Sequence, residues 1–347
     1  MGSGRAHNTQ GENRVKVLVI AGVDKESGKT VVALGLALNH KGKTEYLKPI
    51  RDHLVKVDSR LFERDAELAQ RVLGMKESAE EISPLDLDFH GKMDTAGLVR
   101  HLRKLKRASD LLLVEAGTFA ETGLCQGISG FDLAERLEGA LVLVVSSDPA
   151  NLDRVLMLRD YAKCRGIRVL GVVVNSDRDG RLAKLLRARK VPVLGSIPFE
   201  PRLRYFRVRE ILDEVGGACV AGSKGLDRVV ENIVIGAMTA ETALPLMRRI
   251  PRKCVITGGD RSDLQLAALS TDTSVLVLTG GLHPSSQVMS EAHEQGVPVI
   301  VVSADTYAVT ERFDRLQARI NPEDKEMVGR VKELVRKNVD LKRAFGK

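Results

Sequence analysis

Nine residues near the start of the chain, Gly22-Val23-Asp24-Lys25-Glu26-Ser27-Gly28-Lys29-Thr30, combine types suited to holding phosphate. Gly28 lets a backbone approach anionic oxygens closely. Lys29 supplies a mobile positive charge for β- and γ-phosphates, and Thr30 offers a hydroxyl to Mg²⁺. Amides at a helix start point at the same oxygens and share the helix dipole. A glycine-lysine-threonine tripeptide arises easily by chance. Here it follows the β-branched run Val15–Ala21 and opens the helix-patterned stretch Thr30–Asn39, the strand–loop–helix context such a loop requires. The commoner spacing has a glycine five residues before Gly28. That position is Val23 here, and the glycine is one earlier, at Gly22. A nucleoside triphosphate with Mg²⁺ is the expected ligand.

The elements that must position this loop read as an α/β protein with a mostly parallel sheet. Further short apolar runs at Glu45–Lys48, Leu111–Glu115, Leu141–Ser146, Val169–Val174 and Val193–Ile197 fit strands buried on both faces. Amphipathic stretches lie between them, at Asp65–Leu73, Thr95–Leu105, Leu152–Lys163 and Gly180–Arg189. Four glycines between Gly216 and Gly225 mark a join with hinge character. Beyond it a smaller α/β domain is expected, with strands at Asn232–Gly236, Lys253–Thr257, Ser274–Leu278 and Pro298–Val302. Its helices are expected at Glu241–Arg249, Asp263–Leu269 and Ser286–Gln295. The tail Glu323–Val339 reads as an amphipathic helix of this second domain. The expected division is a disordered leader at 1–14, a nucleotide-binding domain at 15–215 and the second domain at 216–347.

Composition narrows the function classes. The chain has 347 residues, 43% of them hydrophobic, enough for two buried cores. No apolar run reaches the length of a membrane span, and the polar first residues lack a secretory core. The four cysteines are widely separated, as expected of reduced thiols in a cytoplasmic protein. Net charge is +8, with many of the cations between Arg178 and Arg209. Aromatics make up only 3%, with no Trp, so stacking platforms are scarce and nucleic acid is not the expected partner.

The loop Gly22–Thr30 resembles that of dethiobiotin synthetase and its relatives, with Gly22, Asp24, Glu26, Gly28, Lys29 and Thr30 matching and Ser27 within it. The resemblance implies an ATP–Mg²⁺ site. Partition ATPases of the same superfamily place a signature lysine where this chain has Asp24, so a dimer-switching motor is not expected. Lys48-Pro49-Ile50 resembles the family's Lys-Pro-Val segment, whose lysine lies near the reacting carboxylate and the terminal phosphate. Asp65 and Glu115 resemble its acidic Mg²⁺ ligands, Asn175 its adenine-contacting Asn, and Val191–Pro198 its closing strand and loop. The resemblance thus assigns Lys29 and Lys48 to phosphoryl chemistry, and Thr30, Asp65 and Glu115 to the metal. Two segments depart from the pattern: Ala116-Gly117-Thr118-Phe119 replaces a glycine-rich substrate run, and Arg51-Asp52-His53 replaces small residues. Biotin synthesis is not expected.

The segment Val255–Phe313, with Gly225–Met238 ahead of it, resembles the DRTGG domain. Its loops Thr257-Gly258-Gly259-Asp260-Arg261 and Thr279-Gly280-Gly281 follow adjacent strands and form a candidate small-ligand crevice, with His283 and Asp305 nearby. A dethiobiotin-synthetase-like domain followed by DRTGG resembles the N-terminal region of long phosphotransacetylases. No acetyltransferase domain follows here, so that activity is not expected of this chain alone. The reading is an ATP–Mg²⁺-binding regulatory or sensor protein, a homodimer, with a metabolite at the DRTGG domain and a partner enzyme. The alternative is an ATP-dependent ligase that activates a carboxylate or carbamate.

Overall fold

The computed structural model describes residues 17–346 except 53, 58–59, 87–93, 316–319 and 321. The expected leader, the first two residues of the first strand and His53 lie outside the described residues. Strands β1 (Val17–Gly22), β2 (Thr44–Leu47), β3 (Leu111–Glu115), β4 (Ala140–Ser146), β5 (Arg168–Asp177) and β6 (Val193–Pro198) form one sheet. Its order is β6-β5-β4-β1-β3-β2, and every pairing is parallel. Successive residues of β1 point to opposite faces, yet Val17 to Ala21 are all buried. Helices therefore cover both sides, which is why the strand has no polar alternation.

These helices are α1 (Lys29–Asn39), α2 (Arg64–Leu73), α3 (Thr95–Ala108), α4 (Gly130–Arg136), α5 (Leu152–Cys164) and α6 (Arg181–Ala188). Register sets the site. Ile20 of β1 lies level with Glu115 of β3 and with Val142 of β4, and Ser146 of β4 lies level with Asn175 of β5. The carboxyl ends of β1, β3, β4 and β5 thus come together where the phosphate loop leaves β1. A short hairpin, Leu54–Val57 with Arg60–Glu63, fills the connection between β2 and α2.

The second unit has its own five-stranded sheet: β7 (Ala218–Ala221), β8 (Asn232–Ile235), β9 (Lys253–Gly258), β10 (Thr273–Thr279) and β11 (Val299–Val301). The order is β7-β11-β10-β9-β8, parallel except for β7 against β11. Its helices are α7 (Val208–Val215), α8 (Ala240–Met247), α9 (Ser262–Leu269), α10 (Ser286–Glu294) and α11 (Thr306–Arg315). Alternate strand residues split into two cores. Val255, Leu276 and Val299 share one with Met247, Leu264 and Val288; Ile256, Val277 and Ile300 share the other with Val208, Ile211 and Val309.

Two expectations about organisation change. Contacts divide the chain at 199/200, not at 215/216, because α7 supplies part of the second unit's core. The glycines read as a hinge lie inside that unit. A Cβ on Gly217 would sit 2.2 Å from the Val301 carbonyl oxygen, and one on Gly222 would sit 2.1 Å from that of Val297. They serve close backbone packing against the β11 segment.

The tail helix α12 (Lys325–Asn338) belongs by its contacts to the first unit, not to the second. Its buried Val331, Leu334 and Val335 need a small-residue partner, and α1 provides one. A Cβ on Gly35 would meet Val335 at 2.2 Å. Asn39 Nδ2 donates to the Lys332 carbonyl at 2.8 Å, and the Asp340 amide donates to the Leu194 carbonyl at 2.9 Å. No helix among the described residues is long and apolar enough to cross a membrane.

Candidate nucleotide site

The phosphate loop is held by its own sequence. Val23, at the position where the commoner spacing has glycine, is fully buried and donates its amide to Val144 at 2.8 Å, extending β1 by one bond. Gly22 must be glycine: a Cβ there would lie 2.9 Å from Ser27 Oγ and 3.0 Å from the Thr118 carbonyl oxygen. Gly28 has φ +87°, and a Cβ on it would meet Asn175 Nδ2 at 1.9 Å. Glu26 takes a positive φ of 57° without being glycine, a backbone strain of the kind that concentrates in functional loops. No side chain caps α1, so its first amides are left for an incoming anion.

Two predicted site residues act as ties. Asp24 accepts from the Ser146 amide at 3.0 Å and from Asn151 Nδ2 at 3.1 Å, fastening the loop to the end of β4. Asn175 donates to the Ser27 carbonyl at 3.0 Å and so buttresses the loop from β5. Ser27 is fully buried, and its Oγ has no hydrogen-bond partner among the described residues.

The loop's chemistry converges on the ends of β2 and β3. Lys29 donates to the Thr118 carbonyl at 3.0 Å. Thr30 donates to one Glu115 oxygen at 2.8 Å, and the Tyr46 phenol donates to the other at 2.8 Å. Lys48, fully buried just after β2, sits 2.7 Å from Asp52 Oδ1, 2.7 Å from Glu63 Oε1 and 2.6 Å from Asp65 Oδ2. Asp52 in turn accepts from Thr118 Oγ1 at 3.0 Å. The structure therefore joins Lys29, Thr30, Lys48, Asp65 and Glu115 in one continuous polar cluster. Asp24 and Asn175 lie at its margin as loop supports.

Electrostatics within the cluster follow from burial and from the excess of carboxylates. Burial pushes the Glu63 carboxyl up to about 7, with the charge of Asp65 adding to the effect. Burial also raises Glu115, against the pull of Lys48 and Lys29. Burial by itself lowers a lysine, but Asp65, Glu63 and Asp52 outweigh it and hold Lys48 well above its ordinary value. The Tyr46 phenol is raised by burial and then by the charge of Glu115, so it remains a donor.

Sequence reasoning missed Tyr46 and Glu63. Glu63 accepts from the Ala66 amide at 2.7 Å and so caps α2, a position where glutamate is not a common choice. Asp52 was noted only as a departure from pattern; the structure makes it a partner of Lys48. Thr118 and Phe119 also fill space: Arg154 stacks on the Phe119 ring at 4.6 Å and pairs with Glu121.

With this geometry in place, residues 16–205 match the family model of an AAA domain. The chain belongs to that AAA domain family. Residues 210–316 match the DRTGG domain. Phosphate acetyltransferase of Pseudomonas putida is 25% identical over an alignment of 362 residues, taking in 94% of this chain and 51% of that protein. The enzyme of the same name from Pseudomonas aeruginosa is 28% identical over 357 residues, 90% and 49% respectively. ATP-dependent dethiobiotin synthetase of Bacillus velezensis is 26% identical over 197 residues, covering 52% of this chain and 84% of that protein. The chain thus spans about half the length of the phosphate acetyltransferases it matches. An AAA domain with a phosphate loop, followed by a DRTGG domain, is similar to the N-terminal region of those enzymes.

Proposed function

We propose that the AAA domain binds ATP with Mg²⁺ and that occupancy of this site regulates a partner enzyme through the DRTGG domain. One observation carries the reading: Lys48 is enclosed by three carboxylates, whereas the hydrogen bond of Lys29 among the described residues goes to a carbonyl. A ligase needs the charge of Lys48 on the transferring phosphoryl group. Here that charge is already over-compensated, while the groups that bind phosphate keep theirs. The donor set also suits Mg²⁺. No three His, Cys, Asp or Glu side chains among the described residues form a metal cage. Mg²⁺ at nucleotide sites takes one or two carboxylates, phosphate oxygens and several waters. The Thr30 hydroxyl and Glu115 would hold it, with Asp65 reaching its water shell, and the ion would offset negative charge on the phosphates and on the cluster. Asn175, which buttresses the loop from β5, would contact the base of a bound nucleotide.

The regulatory reading is tested by an ATPase assay of the purified protein against a panel of small carboxylic acids and diamines, with product masses measured. A slow rate that no acid alters is expected. A rate jump with one acid would move the assignment to an ATP-dependent ligase. Hydrogen exchange tests the coupling: ATP–Mg²⁺ should slow exchange at Gly22–Thr30 and also across Arg202–Gly225 in the second unit. Protection confined to the first unit would remove the regulatory half. The same reading includes a homodimer, the commonest closed assembly, and a metabolite site at the DRTGG loops. Light scattering that returns one chain's mass with and without ATP would contradict the dimer.

A further inference from the structure

The outer face of α3 carries Arg100, Arg103, Lys104 and Arg107, all exposed, at helical spacings of three, four and seven. Its inner face, Leu98, Val99 and Leu102, is buried in the core, so the cations have one direction left. No acidic residue occurs between Asp94 and Asp110. Among the described residues none of the four pairs with a carboxylate; the hydrogen bond recorded for Arg103 goes to the Arg136 carbonyl at 3.3 Å. An exposed helix of the same length shows what compensation looks like. In α12, Glu333 lies 3.9 Å from Arg330, 3.8 Å from Arg336 and 2.8 Å from Lys337. On α3 every such neighbour is a like charge, and each pair costs a few tenths of a kcal/mol. The helix dipole favours cations only in the last turn, which accounts for Lys106 and Arg107 but not for Arg100, Arg103 and Lys104.

These side chains, with Ala108, border an open surface depression of about 540 Å³. The helix descends from the carboxyl end of the sheet to the start of β3, so its cations lie toward the amino ends of the strands, away from the phosphate loop. We infer that this face is a second anion site, built for a small multivalent phosphate compound. Three guanidinium forks suit phosphate oxygens, and the four charges span roughly 10 Å of helix, enough for two to four phosphates. The lining has no aromatic side chain to stack a base, which favours an oligophosphate over a nucleic-acid strand.

The test titrates inorganic tripolyphosphate into the full chain by calorimetry at low salt. The wild type is compared with Lys29→Ala and with the combined variant Arg100→Gln, Arg103→Gln, Lys104→Gln and Arg107→Gln. Glutamine keeps helix propensity, and circular dichroism confirms the fold. Lys29→Ala should retain a tripolyphosphate site that weakens steeply as salt rises, and the glutamine variant should lose at least about tenfold in affinity for it. Unchanged affinity in the glutamine variant would overturn the inference. So would loss of all binding in Lys29→Ala, since the phosphate loop would then be the site, or binding of long single-stranded nucleic acid without any of tripolyphosphate. The glutamine comparison leaves the phosphate loop intact, so its failure is distinguishable from failure of ATP binding there.

Discussion

Lys48 in the first unit and Lys253 in the second are both fully buried, and their surroundings are opposite. Lys48 follows the carboxyl end of β2 and meets three carboxylates. Lys253 opens β9 at its amino end and donates to two carbonyls, of Ile250 at 3.1 Å and of Asp272 at 2.8 Å. Burial lowers Lys253, with the charge of Asp272 opposing, whereas the carboxylates raise Lys48. Burial alone therefore does not mark a functional charge. What distinguishes Lys48 is the surplus of opposite charge around it, just beyond the carboxyl end of a parallel strand. Lys253 closes off backbone acceptors and has the chemistry of a structural tie.

The largest expected effect tests this contrast directly. Lys48→Met leaves Asp52, Glu63 and Asp65 buried without their cation and should cost about 3–5 kcal/mol, read by urea unfolding. The loss should shrink toward mildly acid pH, because the stranded carboxylates then take up protons. Lys253→Met removes bonds to neutral acceptors only and should cost about 1–2 kcal/mol. Equal costs for the two variants would break the comparison. Next comes Lys29→Ala, which should lower ATP–Mg²⁺ affinity by roughly 100-fold, about 2.7 kcal/mol, in a folded protein. Calorimetry showing unchanged affinity would remove the phosphate-loop assignment. Asp65→Asn and Glu115→Gln should each weaken binding by about tenfold with Mg²⁺ and by less without it. The same loss in both conditions would make these carboxylates structural, as Lys253 is. The smallest effect is expected in the second unit. Thr257 is buried, and its Oγ1 has no hydrogen-bond partner among the described residues. Thr257→Val should change stability by less than about 1 kcal/mol, because no hydrogen bond is lost. A large loss would reveal a polar site at the end of β9.

Much of this was legible in the sequence, for identifiable reasons. Most of the parallel strands are short, nearly unbroken apolar runs, and the loop Gly22–Thr30 has residue types that few other roles demand. Asp65 and Glu115 were singled out through their order along the chain; their closeness to Lys48 depends on the register of β1, β2 and β3, which pattern alone does not give. Glu63 was hidden because the hairpin that delivers it has no metal or phosphate signature, and because glutamate is a poor cue for a helix start. Helices α7 and α11 were missed because Arg202–Arg209 and Thr306–Arg315 look like solvated charge until Val208, Ile211, Val309 and Phe313 are seen against the sheet. The apolar stripe of α12 carried no address. Its clue was Gly35, a glycine within α1 whose missing side chain leaves room for Val335.

The return of α12 to the first unit has a consequence for how the protein is made. Residues 200–319 form an insertion, and the segment 320–346 completes a body begun some three hundred residues earlier. On the ribosome the inserted unit can fold as soon as it emerges, because all its strands are contiguous in the chain. The nucleotide-binding unit, although translated first, keeps the Gly35 face of α1 bare until α12 arrives. At elongation rates of about 5–20 residues per second, that wait lasts on the order of ten seconds or more. The order of completion is thus the reverse of the order of synthesis, and the apolar surface around α1 is the region a nascent chain must shield longest.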